Sequence, residues 1–409
     1  IRVGEVGYPT DGGKERTRTQ APHSDVDLFV DDILYDPYPT DRELRDAGSA
    51  VYLTQLDAWA LPRYDDIRSA LRDWKTFSSA GIALNDVVNE ILTGTVIASD
   101  PPAHDTPRSV LSYRLAPRAL RDLQNDIAAR ADTLVETVLR KESFDVVADL
   151  ATDFPMAVVF DLIGLPEAAR PNMLRWADAT FDVCGPLNAR AQSALSAIGE
   201  MFDWLGTLDA KDLKPDSMGR AIFDAADDGR IKRESCIPLL AAYTSAGMDT
   251  TINAIANAVH LFATHPGQWD LVCADPSILP AAFNEVLRYD APVQVFGRRT
   301  TTDVTVGGLR LEPGTEVLIL YGSGNRDDRH YAEPDCFDVT RRPTDHLTFG
   351  YATHACAGQA LAKLEAHAVL GALAKRVRRF ELGEPTRHLN NVTRGLSSLP
   401  VLGFEPRVR

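Results

Sequence analysis

The sequence predicts a mainly α-helical fold with a minor β portion, built as one large domain. Three observations predict it. Apolar residues recur every three or four positions through most of residues 39 to 270, the period of helices with one buried face. From about residue 292 the pattern changes to short alternating runs, the period of strands. No internal repeat, linker or low-complexity block divides the chain, and the expected strands are too few for a sheet domain of their own.

In chain order, the opening IRVGEVGYPTDGGKERTRTQAP is polar and glycine-containing. It reads as part of a flexible extension over residues 1–30, ahead of a domain over 31–409. Helices are expected in PTDRELRDAG, YDDIRSALRDWKTF, PRALRDLQNDIAARADTLVETVLRK and FPMAVVFDLIGL, with SDPPAHD and GPLN as breaks. Residues 234 to 264 form a long apolar run without a charged stripe, which implies a helix buried on nearly all sides. TTTDVTVGGLRLEPGTEVLIL reads as hairpin strands turning at Gly307-Gly308 and Pro313-Gly314. An irregular stretch follows, then a helix over 357 to 378, and RGLSSLPVLGFEP reads as a terminal strand pair.

The 409 residues are 44% hydrophobic and 25% charged, with a net charge of −15. That balance is globular and disfavours general nucleic-acid or anionic-membrane binding. No apolar run approaches the ~20 residues that span a bilayer. The N-terminus lacks an apolar signal core, so a cytoplasmic setting is expected. Five cysteines, Cys184, Cys236, Cys273, Cys336 and Cys356, are widely spaced without a CxxC pair, which suits reduced thiols better than disulfides or zinc.

Cys356 stands apart, in the loop FGYATHACAGQALAKLEAH just before a helix. As a nucleophile it would need His354 or His346 as base, yet no oxyanion motif accompanies it. As a structural thiol it would need no such setting. Unpaired backbone N–H groups at a helix start favour thiolate, and Gly350 and Gly358 let a broad group approach the backbone. A haem iron fits those features, with the thiolate as axial ligand.

FGYATHACAGQALAKLE resembles the haem-binding loop of the cytochromes P-450. Phe349, Gly350, His354, Cys356, Gly358, Leu361, Ala362 and Glu365 match its usual pattern, and Ala352 stands where a second glycine is usual. That exchange is neutral if the backbone at 352 keeps negative φ. The family's Glu-x-x-Arg clamp matches Glu285 and Arg288, with Arg341 as third partner, and NRDDRHYAEPDCFD from Asn325 matches the segment between. The resemblance, over roughly residues 30 to 405, implies haem b ligated by Cys356. It implies propionate partners at His104 and Arg108 in DPPAHDTPR, at Arg298 in preference to Arg299, and at His354. Phe349, Gly350, Ala246 and Gly247 would line the haem.

AGMDTT lies inside the long apolar helix. There the resemblance implies a groove in which Thr250 holds dioxygen and water and Asp249 relays protons, with Thr251 and Asn253 as backbone support. Gly247 would ease a bulge. This acid–alcohol pair implies a monooxygenase fed by a separate ferredoxin and ferredoxin reductase. Arg114, Arg118 and Arg121, read as one helix face, form with Lys363 a candidate docking patch. An ordinary solvated face is the alternative.

Positions that line the pocket in relatives fall on Ile82, Leu84 and Ile91, on Phe181 and Cys184, and on Ala242, Ser245 and Ala246. Val293, Phe296 and Leu396 complete the set. Together they imply a compact apolar pocket for a small aromatic. FDVCGPLN, SAGMDTT, APVQVFGR and RGLSSLPV resemble the group that O-demethylates para-methoxybenzoates. From Thr76 to Pro107, however, the chain has no Lys or Arg, only polar groups such as Asn85, Asn89, Thr93 and Thr95. A neutral methoxyphenol-type substrate is therefore expected. The alternatives are hydroxylation of a terpene or natural-product scaffold and, in another class, a non-catalytic haem-thiolate sensor.

Overall fold

The computed structural model describes residues 21–407. Six of its helices build the site: α1 (Asp105–Leu115), α2 (Pro117–Val138), α3 (Met173–Cys184), α4 (Cys236–Thr264), α5 (Leu279–Tyr289) and α6 (Gln359–Ala374). The central one is α4. Leu240, Ile255, Val259 and Phe262 are buried around its circumference, as a helix apolar on all sides requires. It packs against α3, α5 and α6, and α6 packs in turn on α2.

Thirteen short strands lie among the described residues. The first four are β1 (His23–Ser24), β2 (Val51–Leu53), β3 (Ala58–Leu61) and β4 (Phe77–Ser78). Next come β5 (Phe144–Asp145), β6 (Val295–Thr300), β7 (Val304–Val306), β8 (Leu309–Leu311) and β9 (Glu316–Leu320). The last are β10 (Val377–Leu382), β11 (Thr386–Leu389), β12 (Arg394–Ser398) and β13 (Pro400–Pro406). The main sheet runs β1-β2-β3-β9-β6-β4. β2, β3 and β4 come from a region expected to be helical. They are two to four residues long, too short to impose a period on the sequence.

Residues 23 and 24 pair with β2, and Phe29 is buried, so the flexible extension expected over 1–30 does not reach that far. Residues 1–20 of that extension lie outside the described residues. The β7–β8 hairpin turns at Gly307-Gly308 with φ of 58° and 84°, as expected of a primed turn. The terminal pair is different from the expectation. β12 pairs with β11, and β13 with β10 and β5. The last expected turn of α6 is instead the approach to β10.

One buried clamp ties these elements together. Arg288 donates to both oxygens of Glu285 at 2.7 and 2.8 Å, with both side chains fully buried. The third partner is Arg341, 3.2 Å from Glu285 Oε1, and the Asp338 backbone N–H adds a bond to the same oxygen at 3.0 Å. Arg288 then donates to the carbonyls of Asn325 and Pro334, each at 2.9 Å. Arg288→Ala should strand the Glu285 carboxylate in the core and cost about 3–5 kcal/mol in urea unfolding. A loss below ~1 kcal/mol would refute the clamp's structural weight.

Candidate active site

The cysteine loop hangs from that clamp. Asn325 accepts the Leu347 backbone N–H at 2.7 Å and donates to Thr348 Oγ1 at 2.9 Å. Thr348 donates onward to the Leu287 carbonyl of α5 at 2.6 Å. The Cys356 N–H then closes the loop on the Phe349 carbonyl at 2.7 Å. Gly350 adopts φ 67°, a left-handed conformation that glycine alone takes without cost. Ala352 also has positive φ, 54°. The condition that made the Ala-for-Gly exchange neutral is therefore not met, and the methyl strains the backbone there.

Cys356 is accessible, although protein surrounds it, so it opens to space inside the fold. Burial pushes its thiol above the ordinary value, while the N–H groups of Gly358 and Gln359 and the charge of Arg108 pull it back. The helix-start N–H groups thus act toward thiolate, as expected, and burial outweighs them. The buried Cys184 is pushed up to about 12 by desolvation, and Cys236 and Cys273 are buried as well. His346, the other histidine near the loop, is pushed down to about 3 by burial and packs against Phe349. Glu365 is buried with no hydrogen bond to either oxygen, which holds it protonated well above the carboxylate range.

Two arginines and two histidines converge beside the loop. Arg108 on α1 donates to the Ala355 carbonyl at 2.7 Å. His104 and His354 meet edge to face at 4.8 Å. The Nε2 atoms of both rings are buried without hydrogen-bond partners among the described residues. His354 Nε2 does lie 3.5 Å from Asp100, but without hydrogen-bond geometry. Arg298 is buried and donates to its neighbour's carbonyl, Gly297 O, at 2.7 Å. Arg299 points to the opposite face of β6 and pairs with Asp86 at 2.7 Å, as strand alternation dictates. The choice of Arg298 over Arg299 is thus the inward one. Any side chain at Gly297 would run into the Gly81 carbonyl.

On α4, Ala242, Ala246 and Thr250 form a stripe four residues apart. Ala246 is exposed and the other two half-buried, in a helix otherwise enclosed, so this face borders the interior space. The helix is continuous through Gly247. Gly247 makes no bulge. A Cβ there would stand 3.1 Å from Val159 Cγ2, so its role is close packing. Thr250 Oγ1 donates to the Ala246 carbonyl at 2.9 Å. Asp249 accepts from Asn253 at 3.1 Å, while Thr251 is buried. Burial, then the nearby Asp178 carboxylate, raises the Asp249 carboxyl to about 6; His388, Thr393 and Asn253 oppose the shift.

Of the expected pocket residues, Ile82, Phe181, Cys184, Ser245 and Leu396 are buried, and Leu84, Val293 and Phe296 are partly buried. Ile91 is not with them. It is 41% exposed at the end of a short helix, whose inward face is taken by Val88 and Asn89. The four polar side chains named for this segment are spent on backbone groups. Asn85 caps the helix and donates to the Val183 and Gly185 carbonyls, each at 2.8 Å. Asn89 makes both bonds to Ala83 at 2.9 Å. Thr93 and Thr95 bond back to the carbonyls of Asn89 and Leu92.

The basic face is corrected too. The backbone breaks at Ala116, with ψ 144°, so Arg114 ends α1 while Arg118 and Arg121 begin α2. Arg114 and Arg118 share a surface groove with Asp122, Asp126, Asp161 and Asp216, a mixed rather than basic surface. Lys363 is half-buried over the Phe349 ring at 5.2 Å. Sequence reading also missed a buried network at Asp290. It takes bonds from Tyr38 at 2.8 Å and Arg394 at 2.7 Å. Nothing in the spacing of three residues so far apart could have announced it.

An accessible thiol inside the fold, two imidazole Nε2 atoms buried without a hydrogen bond among the described residues and a buried arginine without a carboxylate suit a broad, anionic, iron-bearing group. The Cytochrome P450 family profile matches residues 275–402. Cytochrome p450 CYP199A2 of Rhodopseudomonas palustris is 38% identical over 387 residues, covering 93% of this chain and 94% of that protein. Putative cytochrome P450 123 of Mycobacterium tuberculosis is 32% identical, covering 94% and 98%. Among solved structures, CalO2 superposes with TM-score 0.82 at 29% identity, covering 93% and 99%. Cytochrome P450 CREJ, in complex with (4-ethylphenyl) dihydrogen phosphate, gives 0.81 at 28%, covering 91% and 98%. The fold and site define a haem-thiolate protein. The chain belongs to the cytochrome P450 family and is a monooxygenase with a cysteine-ligated haem. Among the described residues, no helix is long and apolar enough to cross a membrane.

Two stability measurements check this geometry. Ala352→Gly should stabilise the protein by about 1 kcal/mol in thermal unfolding, by relieving the left-handed methyl; destabilisation would refute the strain. Asp249 keeps its proton up to about pH 6 when folded but releases it near 3.8 when unfolded. Wild-type stability must therefore fall as pH rises through that window. Asp249→Asn should escape the fall and gain at most about 3 kcal/mol over wild type above it, read from denaturant midpoints at pH 4 and pH 8. Parallel pH curves would refute the raised carboxyl.

Proposed function

We propose that this monooxygenase draws electrons from a ferredoxin and ferredoxin reductase and O-demethylates a compact, neutral, methoxyphenol-type aromatic. The observation that carries the substrate reading is the segment from Thr76 to Pro107. It has no Lys or Arg, and the side chains of Asn85, Asn89, Thr93 and Thr95 are already bonded to backbone carbonyls. A buried substrate carboxylate would find no counter-charge there and would cost several kcal/mol.

In this reading Cys356 would ligate the haem iron, and His104, Arg108, Arg298 and His354 would hold its propionates through charge-assisted bonds. Phe349, Gly350, Ala246 and Gly247 would line the group. The bound haem supplies the oxygen activation. The chain supplies proton handling and placement. Thr250 spends its one proton on Ala246 O, so it offers only lone pairs to the site and accepts a bond there. Asp249, raised to about 6, exchanges protons readily near neutral pH. The same accounting applies to Ser245. Thr180 donates to the Trp176 carbonyl at 2.8 Å and lies 2.9 Å from Ser245 Oγ. Ser245 is therefore the donor of that pair, and it holds α3 against α4 behind the pocket wall.

Ile82, Leu84, Phe181, Cys184, Ala242, Val293, Phe296 and Leu396 form the apolar wall. CREJ, captured with a single-ring (4-ethylphenyl) compound, supports a pocket of that size. Hydroxylation at the methoxy carbon gives a hemiacetal that divides into a phenol and formaldehyde. For the electron donor, the exposed Arg118 and Arg121 and the half-buried Lys363 and Arg114 remain the proposed cations, with Lys363 directly over the thiol loop.

Methoxyphenols should shift the ferric protein from low to high spin and yield one formaldehyde per phenol. Methoxybenzoates should bind at least about tenfold more weakly, having lost one charge partner. Hydroxylation of a terpene without formaldehyde from any methoxyphenol would overturn the substrate reading. A reduced carbon-monoxide band at the histidine-ligated position would overturn Cys356 as ligand.

A further inference from the structure

Near Asp249 lies a second acid–base pair that the reaction as described does not use. His388 on β11 bonds Asp178 on α3 through Nε2 at 2.6 Å, and each side chain is about a third exposed. Asn390 fixes Asp178 in place, donating to its Oδ1 at 2.9 Å and its carbonyl at 3.1 Å. The Asn390 Oδ1 in turn accepts the Val392 and Thr393 backbone N–H groups, so the β11–β12 turn is built around this pair.

The turn is seated on Asp249. His388 lies opposite Gly395 in the β11–β12 register, and a side chain at Gly395 would collide with Asn253 Oδ1. Asn253 is the residue that donates to Asp249. One turn earlier, the Ser245–Thr180 bond draws α3 against α4. The groups facing Asp249 are therefore Asp178 from α3, His388 from β11, Thr393 from the turn and Asn253 from its own helix. Those facing His388 are Asp178, Asp182 and Asp249. Asp182 is occupied by the Asn391 N–H at 2.9 Å. Asp178 and Asp182 line a surface cleft with Arg175 and Arg190.

We propose that His388 and Asp178 are the solvent end of the proton route to Asp249. This rests on the reading of Asp249 as the relay acid. The imidazolium gives its Nε2 proton to the Asp178 carboxylate, breaking N–H and forming O–H. Asp178 passes that proton on to Asp249, breaking O–H on one carboxyl and forming it on the other, whose burial favours the protonated form. The imidazole, about a third exposed, then regains a proton from solvent. Hydrogen bonding to Asp178 raises the His388 pKa above its ordinary value of 6.5, so the relay is charged below that raised value and runs down as pH rises through it.

The test uses the haem-loaded protein as His388→Gln and Asp178→Asn, with Asp249→Asn as reference. In the resting ferric protein, the His388 imidazole resonance should titrate above 6.5 and fall in Asp178→Asn. During turnover, the product formed per reduced nicotinamide consumed should drop at least about threefold in both variants, with a larger solvent deuterium effect. The wild-type decline in coupling at alkaline pH should flatten in His388→Gln. The substrate-induced spin shift should stay unchanged. Wild-type coupling and isotope effect in both variants, while Asp249→Asn is impaired, would overturn this proposal alone. An unimpaired Asp249→Asn would overturn the relay reading beneath it. A loss of coupling that tracks a lost spin shift, with no change in isotope effect, would also overturn it, because the pair would then be structural only.

Discussion

The site depends on a carboxylate that never meets water. Glu285 is held by Arg288, Arg341 and a backbone N–H, and taking such charges into the core is tolerable only when each is fully matched. The matching has a mechanical product. Arg288 grips the Asn325 carbonyl, Asn325 grips Leu347 and Thr348, and the thiol loop is hung two residues further on. Electrostatics on one side of α5 thereby set the position of a sulfur on the other.

The distal side is organised by hydroxyl accounting rather than by charge matching. Thr250 gives its proton to the Ala246 carbonyl, leaving lone pairs toward the interior space, while the buried Ser245 is taken up by Thr180. Asp249 is kept half-reluctant to ionise by burial and a neighbouring carboxylate. A core that tolerates such a group gives up stability in return for a proton that moves easily.

Much of this was legible in the chain because its motifs are local. The cysteine loop, Glu285-x-x-Arg288 and AGMDTT each carry their chemistry within a few residues, and the long apolar helix showed its boundaries to within two residues. What stayed hidden was assembled over distance. β1 to β4 are too short to show a period, and the Asp290 and Asp178 networks join segments some hundred residues or more apart. Backbone state was hidden too. Nothing in GYATHAC told that Ala352 would sit at positive φ, or that Ala116 would break the helix between Arg114 and Arg118. Ile91 failed for a simpler reason: a short surface helix buries one face, and the pattern did not say which.

The two adjacent arginines of β6 behave as a coded address. Alternation sends Arg298 inward unneutralised and Arg299 outward to Asp86, so a slip of one residue would exchange them and reverse the polarity of the haem-side wall. Gly297 prevents that slip. It alone lacks the atom that would strike the Gly81 carbonyl, so neither Phe296 nor Arg298 can take its place in the ladder. A missing side chain thus acts as the key that locks the strand in frame, and the site's charge pattern is inherited from a steric fact.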